Sequence, residues 1–503
     1  VAAAEAAAPT APASVGIIGG GVAGLACARR LGQLGVPAVV FDTGKRAPGG
    51  RASSRTWRGH QVDHAVQFAA ATDARFAQEL AATGVARRWS SDRFGELQAG
   101  SFTPANDSTD RWIGERGFSS IITALASDVD VRQDIWVSPG GGVKAERNGG
   151  WAVTVPGEGG RGKRDLHFEA VIIAHNGKCA DRLTSRLPCS KINALLRTNF
   201  APSLPQRPQP GSGKFTLNQV YSLLLEVPEG VLPGSFDGAF VKGEPSLRWL
   251  SSNSAKLGSS GHAEPGTEAW TALSTPEFGK RHKAPQEFLE GTPKEAEVTE
   301  LMLESIEHAS GLAKGTLQKA VTATKLQLWG AGLPINRWST ADGKDFVWDA
   351  EHRIGIAGDW LSSEPKRAST VEAAWLSGVE LAEHLAGEHG TTDVGLDLGE
   401  GGGAFVPVEG DFGSGGANAA AWVQEPGSDV GGGGKGKGRQ RSPGGGGGRG
   451  KAKAQAEGGD GGGKGKGKAY AGKSGGLQHS LQRPGGEGGG GKGGGGFGGG
   501  SGW

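Results

Sequence analysis

The chain has 503 residues and a formal net charge of +2, so charge alone gives no reason to read the whole molecule as a nucleic-acid or membrane-surface binder. Its three cysteines, Cys27, Cys179 and Cys189, are scattered, which argues against a disulfide framework and a cysteine zinc site and fits a reducing intracellular compartment, plastid or cytoplasm. No apolar run reaches membrane-spanning length.

Residues 1–13 are rich in Ala and Pro and read as a flexible segment, with neither an arginine-rich face nor an apolar signal core. The chain starts at Val1 and holds a single methionine, Met302, so its true N-terminus is expected to be missing. Val15–Ile18 then predicts a strand, followed by Gly19-Gly20-Gly21-Val22-Ala23-Gly24 and a helix opening at Leu25-Ala26-Cys27-Ala28. In such a turn Gly19 permits the bend, Gly21 lets phosphates approach the backbone, and Gly24 lets helix and strand pack closely. A second strand, Pro37–Phe41, ends in Asp42, placed where a carboxylate accepts from a ribose diol. Gly49-Gly50-Arg51 suits a second backbone approach to a pyrophosphate, with a guanidinium to neutralise it; the alternative is an ordinary basic loop.

Asp73–Thr83 has helical spacing of apolar residues, Phe118–Ala126 reads as another helix, and Val129–Val137 as a short strand. Trp151–Val155 alternates like a half-buried strand, and Phe168–Ala174 is a continuous apolar run, as in a buried parallel strand. Strands such as Tyr221–Val227 and a helix near Glu297–Ala309 follow in a second region. Arg353–Gly358 and Val371–Leu385 return the chain to the first domain as its last strand and helix. The expected fold class is α/β: a discontinuous Rossmann-type domain over 14–189 and 346–390, with a mixed or antiparallel-sheet substrate domain inserted at 190–345. Some elements of 57–125 are assigned to the substrate domain. A disordered tail is read over 391–503; beyond about Gly401 it is dominated by Gly and Lys. The tail is basic and the body mildly acidic, so the tail alone is a candidate for weak contact with nucleic acid or anionic surfaces, a solvated extension being the plainer reading.

Gly358-Asp359, after a short apolar strand, suits a polyhydroxylated linker, and the helix opening at Val371 can aim its N-terminus at an electron-rich ring. FAD offers both groups, NAD neither, so the expected cofactor is non-covalent FAD; no cysteine neighbours Gly358-Asp359 in sequence to attach it. No metal site is read.

Gly49-Gly50-Arg51, Asp63–Phe68 and Gly358-Asp359-Trp360 with Val371–Gly378 resemble renalase. Ala174-His175-Asn176-Gly177-Lys178-Cys179 and Leu326–Ala331 look like the renalase-like FAD-dependent oxidoreductases of plants and algae, within the flavin amine oxidase superfamily. The resemblance spans about Ser14 to Gly387 and implies oxidation of dihydronicotinamide isomers of NAD(P)H, with O2 accepting the electrons as peroxide. It also implies that Val137 lies beside the adenine and that Asp63, His64 and Gln67 lie near the flavin. Expected substrate-side residues are Asn253, Lys256, His175 and Trp329, each with a plainer reading as loop or core. Val371 is expected to stabilise charge on reduced flavin.

Three alternatives stand beside this function. An amine or polyamine oxidase would hold its substrate between rings, but Thr370 occupies one ring position and only Tyr221 and Tyr470 exist, which leaves Trp for that role. A desaturase-like flavoenzyme would need a long apolar tunnel. A flavin-binding interaction protein would have no turnover.

Overall fold

The computed structural model describes residues 12–147, 149–157, 161–204, 213–258, 266–285, 288–340, 342–387, 390–398 and 402–409. The expectations for 1–11 and for the tail from 410 lie outside the described residues.

A six-stranded sheet forms the first half of the body, in the order Asp130–Arg132, Ala38–Phe41, Val15–Ile18, Ala170–Ile173, Ile354–Ile356, Val347–Asp349. All neighbours are parallel except the last pair. Val15–Ile18 and Ala170–Ile173 are buried along their whole length, as apolar strands covered on both faces must be. The sheet joins stretches more than three hundred residues apart, because Ile354–Ile356 pairs with Ala170–Ile173, the next strand to Val15–Ile18.

Two helices carry the site toward this sheet. Val22–Gln33 starts from Gly21, and Val371–Ala386 starts from Thr370, whose hydroxyl accepts from the Ala373 N–H. They pack at contact distance: a Cβ on Gly378 would stand 2.2 Å from the Ala23 carbonyl oxygen. Asp73 caps the helix Ala74–Ala82 in the same way, accepting from Arg75 N–H, and that helix buries Phe76 and Leu80 on one stripe.

The second half is a seven-stranded sheet in the order Ala323–Trp329, Val220–Pro228, Thr267–Ser274, Leu247–Ser252, Gly238–Val241, Phe94–Gln98, Ser101–Pro104. It is antiparallel except between Gly238–Val241 and Phe94–Gln98. The helix Pro293–Ala309 covers it with Val298, Met302 and Ile306, which are fully buried. The mixed α/β architecture expected from the sequence is therefore present, with a Rossmann-like sheet and a largely antiparallel second sheet.

Three local expectations change. The strand read over Val129–Val137 is confined to Asp130–Arg132, because Asp134 adopts a positive φ of 55° and turns the chain away. The apolar run Phe168–Ala174 is divided: Phe168 ends an antiparallel meander strand, and only Ala170–Ile173 enters the parallel sheet. Ala404–Pro407, read as tail, pairs in register with Asn336–Ser339. Phe405 packs 5.0 Å from Trp338 and 6.0 Å from Trp360, ring centre to ring centre, an apolar anchor concealed in a glycine-rich stretch.

Candidate functional site

A cavity of about 320 Å³ opens where the parallel sheet, the two helix N-termini and the second sheet meet. Gly19, Gly21, Val22, Ala23, Gly49, Gly50, Arg51, Gln67, His175, Trp329, Gly358, Asp359 and Val371 all line it. Thirteen of the residues expected at the site are thus brought together from seven separate stretches of chain.

The three glycines of the turn have different surroundings. Gly19 has φ +118°, and a Cβ there would lie 2.7 Å from the Ala174 carbonyl oxygen. Gly24 does not line the cavity; its Cβ would lie 2.1 Å from Gly19 O, so it serves the close helix–strand packing expected of it. Gly21 has an ordinary φ of −75°, and a Cβ there would meet no protein atom within 4 Å. Nothing in the protein itself therefore requires a glycine at 21. The space it leaves is cavity, at the start of a helix whose first N–H groups lack internal partners, which is the geometry of an anion cradle.

Arg51 and Asp359 form a bidentate pair, with Nη1 and Nη2 each donating to one carboxylate oxygen at 2.9 Å. Arg51 Nη1 also donates to Gly332 O at 3.1 Å. Arg51 was expected to face a pyrophosphate and Asp359 a hydroxylated linker; in the structure the two hold each other, tying the Gly49–Ala52 turn to the strand end at Gly358. Gly358 N–H in turn donates to Ser377 Oγ on the Val371–Ala386 helix. That helix presents Thr370, Val371 and Ala374 to the cavity.

His175 Nδ1 lies 3.1 Å from the Ile18 carbonyl oxygen. A carbonyl can only accept, so the proton sits on Nδ1 and Nε2 carries the lone pair. Burial holds His175 below the ordinary imidazole pKa, the Ile18 bond opposing it, so the ring is neutral near neutral pH. The apolar part of the wall is aromatic: Phe68, Trp249, Trp329, Phe200 and Trp360. Phe68 and Trp249 stand 5.9 Å apart, and Trp329 Nε1 donates to His64 O at 3.3 Å.

Several expected site residues lie elsewhere. Lys256 and Asn253, expected on the substrate side with loop or core as the plainer reading, are fully buried on a short helix and do not line the cavity. Lys256 Nζ lies 2.8 Å from Asp63 Oδ2, and Asn253 Oδ1 accepts from Asp63 N–H at 3.0 Å. His64 is also behind the wall, its ring 5.4 Å from that of Trp329. Burial lowers its pKa to about 3, with Arg55 adding to the effect, so it stays neutral. Val137 is buried in the core and does not line the cavity. Asp42 does not reach the cavity either; its two oxygens accept from Gly20 N–H and Gly44 N–H, which fixes the glycine turn.

Other cavity residues were given no role at the site on sequence grounds. Cys179 lines the same cavity as Asp359 although the two are far apart in the chain, and burial raises its thiol pKa. Phe200 and the Gly332 carbonyl arrive from the second region, where isolated residues of common type say nothing of a site. Tyr221 is fully buried outside the cavity, its hydroxyl donating to His282 O at 2.6 Å. Among the described residues no cluster of His, Cys, Asp or Glu could hold a metal ion, and no helix is long and apolar enough to cross a membrane.

Comparisons with known proteins agree with the first half of this architecture. Residues 17–82 match the NAD(P)-binding Rossmann-like domain family. Among solved structures of similar shape are a protein assigned as a protoporphyrinogen oxidase from an Exiguobacterium species, a cyclohexylamine oxidase from Brevibacterium oxydans and a putrescine oxidase bound to putrescine. Their TM-scores are 0.49, 0.49 and 0.46 at 12%, 12% and 14% identity, each covering 75% of this chain and 99% of the other. At that distance they do not say what this chain binds or converts.

Proposed function

We propose that this chain is an FAD-dependent oxidoreductase that oxidises a small molecule held against the aromatic wall of the cavity. The observation that carries the reading is Gly21: its Cβ direction is empty, the emptiness is the cavity, and a helix N-terminus faces it. FAD bound there would supply the two-electron acceptor for a hydride. The residues fit that group. Gly21 and Gly49–Gly50 admit a pyrophosphate to the backbone, and the Arg51 guanidinium stands on the same wall. The N-terminus at Thr370–Val371 places positive helix-dipole charge on the cavity, where it favours an electron-rich ring. Phe68, Trp249 and Trp329 keep that ring's surroundings apolar.

Two substrate classes each have an observation in their favour. An aromatic wall suits an amine, whose cation is attracted to ring faces even where no tyrosine is present. Against that, Asp359, the one carboxylate among the described lining residues, is already paired with Arg51, which suits a neutral hydride donor such as a dihydronicotinamide isomer. Reoxidation by O2 belongs to either reading. Anaerobic mixing of the purified flavoprotein with small amines, with dihydronicotinamide isomers and with ordinary NADH and NADPH, following the flavin absorbance, separates them. Rapid bleaching by amines selects amine oxidation, and rapid bleaching by the isomers alone selects the renalase-like reaction. Protein that emerges colourless and takes up no FAD on reconstitution overturns the proposal.

A further inference from the structure

Beneath the cavity wall lies a polar network with no exposed member and no obvious purpose in folding. Lys256 is fully buried; its ammonium donates to Asp63 Oδ2 at 2.8 Å, to Gln67 Oε1 at 3.3 Å and to Gln67 O at 3.4 Å. Asp63 Oδ1 accepts from Phe118 N–H at 2.8 Å and from Ser54 Oγ at 2.5 Å. Gln67 Oε1 also accepts from Ser251 Oγ at 2.9 Å, and Gln67 Nε2 donates to Asp63 O at 2.9 Å and Ala65 O at 3.2 Å. Both hydrogens and both lone pairs of the Gln67 amide are therefore taken. With an ammonium at its oxygen and two carbonyls at its nitrogen, the amide has one acceptable orientation.

A buried ion pair is a weak way to stabilise a fold, since apolar residues of similar volume do as well or better, and its best-attested use is to enforce one arrangement over others. The arrangement enforced here is the stretch Ala65–Phe68, all four residues of which line the cavity. Asn253 and Thr271 brace the same loop from below: Asn253 Nδ2 donates to Thr271 Oγ1, which donates to Asp63 O. Lys256 itself reaches no cavity surface.

We infer that Lys256 and Asp63 are positioning residues, which lock the Gln67 amide and thereby set the Ala65–Phe68 wall against whatever ring the cavity holds. The inference rests on the flavoprotein reading for its assay. Lys256→Met keeps the length of the side chain and removes the ammonium, leaving Asp63 without its cation and Gln67 free to turn over. The variant is expected to retain FAD, because the glycine cradle is untouched. It should show an altered flavin absorption envelope, and kcat should fall on the order of tenfold with KM within about twofold, as expected for a misplaced reactant. Lys256→Arg should recover most of the rate and the spectrum. Ser251→Ala removes one bond to Gln67 Oε1 without touching the ion pair, and should shift the spectrum in the same direction by less; it keeps the test open if Lys256→Met does not fold. Wild-type spectrum and kcat in Lys256→Met, or losses that track thermal stability alone with no recovery in Lys256→Arg, overturn the inference. Wild-type protein that binds no FAD overturns the flavoprotein reading instead, so the two failures are distinguishable.

Discussion

Replacing Gly21 by Val tests the cofactor reading at the point where protein and ligand demands separate. The backbone at Gly21 has a φ of −75°, which any residue adopts, and no protein atom lies within 4 Å of an added Cβ. The direct effect on the fold is the loss of a tolerable N-cap, about 1 kcal/mol. For a bound pyrophosphate the branched side chain occupies the approach to the helix N-terminus. Losing two charge-assisted hydrogen bonds of roughly 1.5–3 kcal/mol each removes about 3–6 kcal/mol of binding. Affinity should then fall by about two to four orders of magnitude. Gly21→Val should emerge folded and colourless, with the apoprotein unfolding within a few degrees of wild-type apoprotein. The measurements are the flavin-to-protein absorbance ratio, a fluorescence titration with FAD, and thermal unfolding of both apoproteins. A variant that purifies with wild-type flavin content would refute the placement of the phosphates at Gly21. Gly24→Ala provides the contrast, since its Cβ would lie 2.1 Å from Gly19 O and the lesion should appear in the fold.

Three further outcomes follow from the same geometry. Deleting residues 410–503 should leave flavin content and melting temperature unchanged, whereas deletion from residue 402 removes the strand Ala404–Pro407 and the Phe405 packing and should lower both; equal behaviour of the two truncations would show that the strand contributes nothing. Arg51→Ala strands the buried Asp359 carboxylate and should destabilise the protein by about 2–4 kcal/mol in urea unfolding; Arg51→Lys, which cannot form the bidentate pair, should fall between, and an unchanged midpoint would discount the pair. His64 has a folded-state pKa of about 3 against an ordinary imidazole value of 6.5, so the unfolded chain binds the extra proton first. Its contribution to stability is complete above about pH 6.5 and is lost as pH falls toward 3; His64→Phe, which keeps a ring beside Trp329, should flatten the stability profile across that window.

What could be read from the sequence follows from the range of each signal. The glycine turn, the two apolar strands flanking it and the Val371 helix are local patterns, and they appear within a residue or two of their expected bounds. The gathering of Gly19, Arg51 and Asp359 around one cavity was legible only because each stretch has its own recognisable chemistry. Lys256 was misread for the opposite reason. A lysine at the end of the run Ser251–Lys256 reads as readily as loop or core as it does as substrate-side, and the partner that holds it, Asp63, lies nearly two hundred residues earlier. The strand expected over Val129–Val137 stops at Arg132 on a single backbone reversal at Asp134, for which sequence spacing gives no warning. Phe405 was hidden by composition, because one aromatic in a glycine-rich stretch does not disturb the average.

The absence of a side chain at position 378 reaches beyond helix packing. Because the Gly378 backbone rests against Ala23 and Cys27, this contact limits how far apart the Gly21 end of one rod and the Val371 end of the other must stand. On the proposed flavin reading, those two ends would be the caliper jaws for a long, two-headed guest. A methyl at 378 would wedge the rods apart without approaching the guest, and would change the gauge of the whole grip from the side facing away from it.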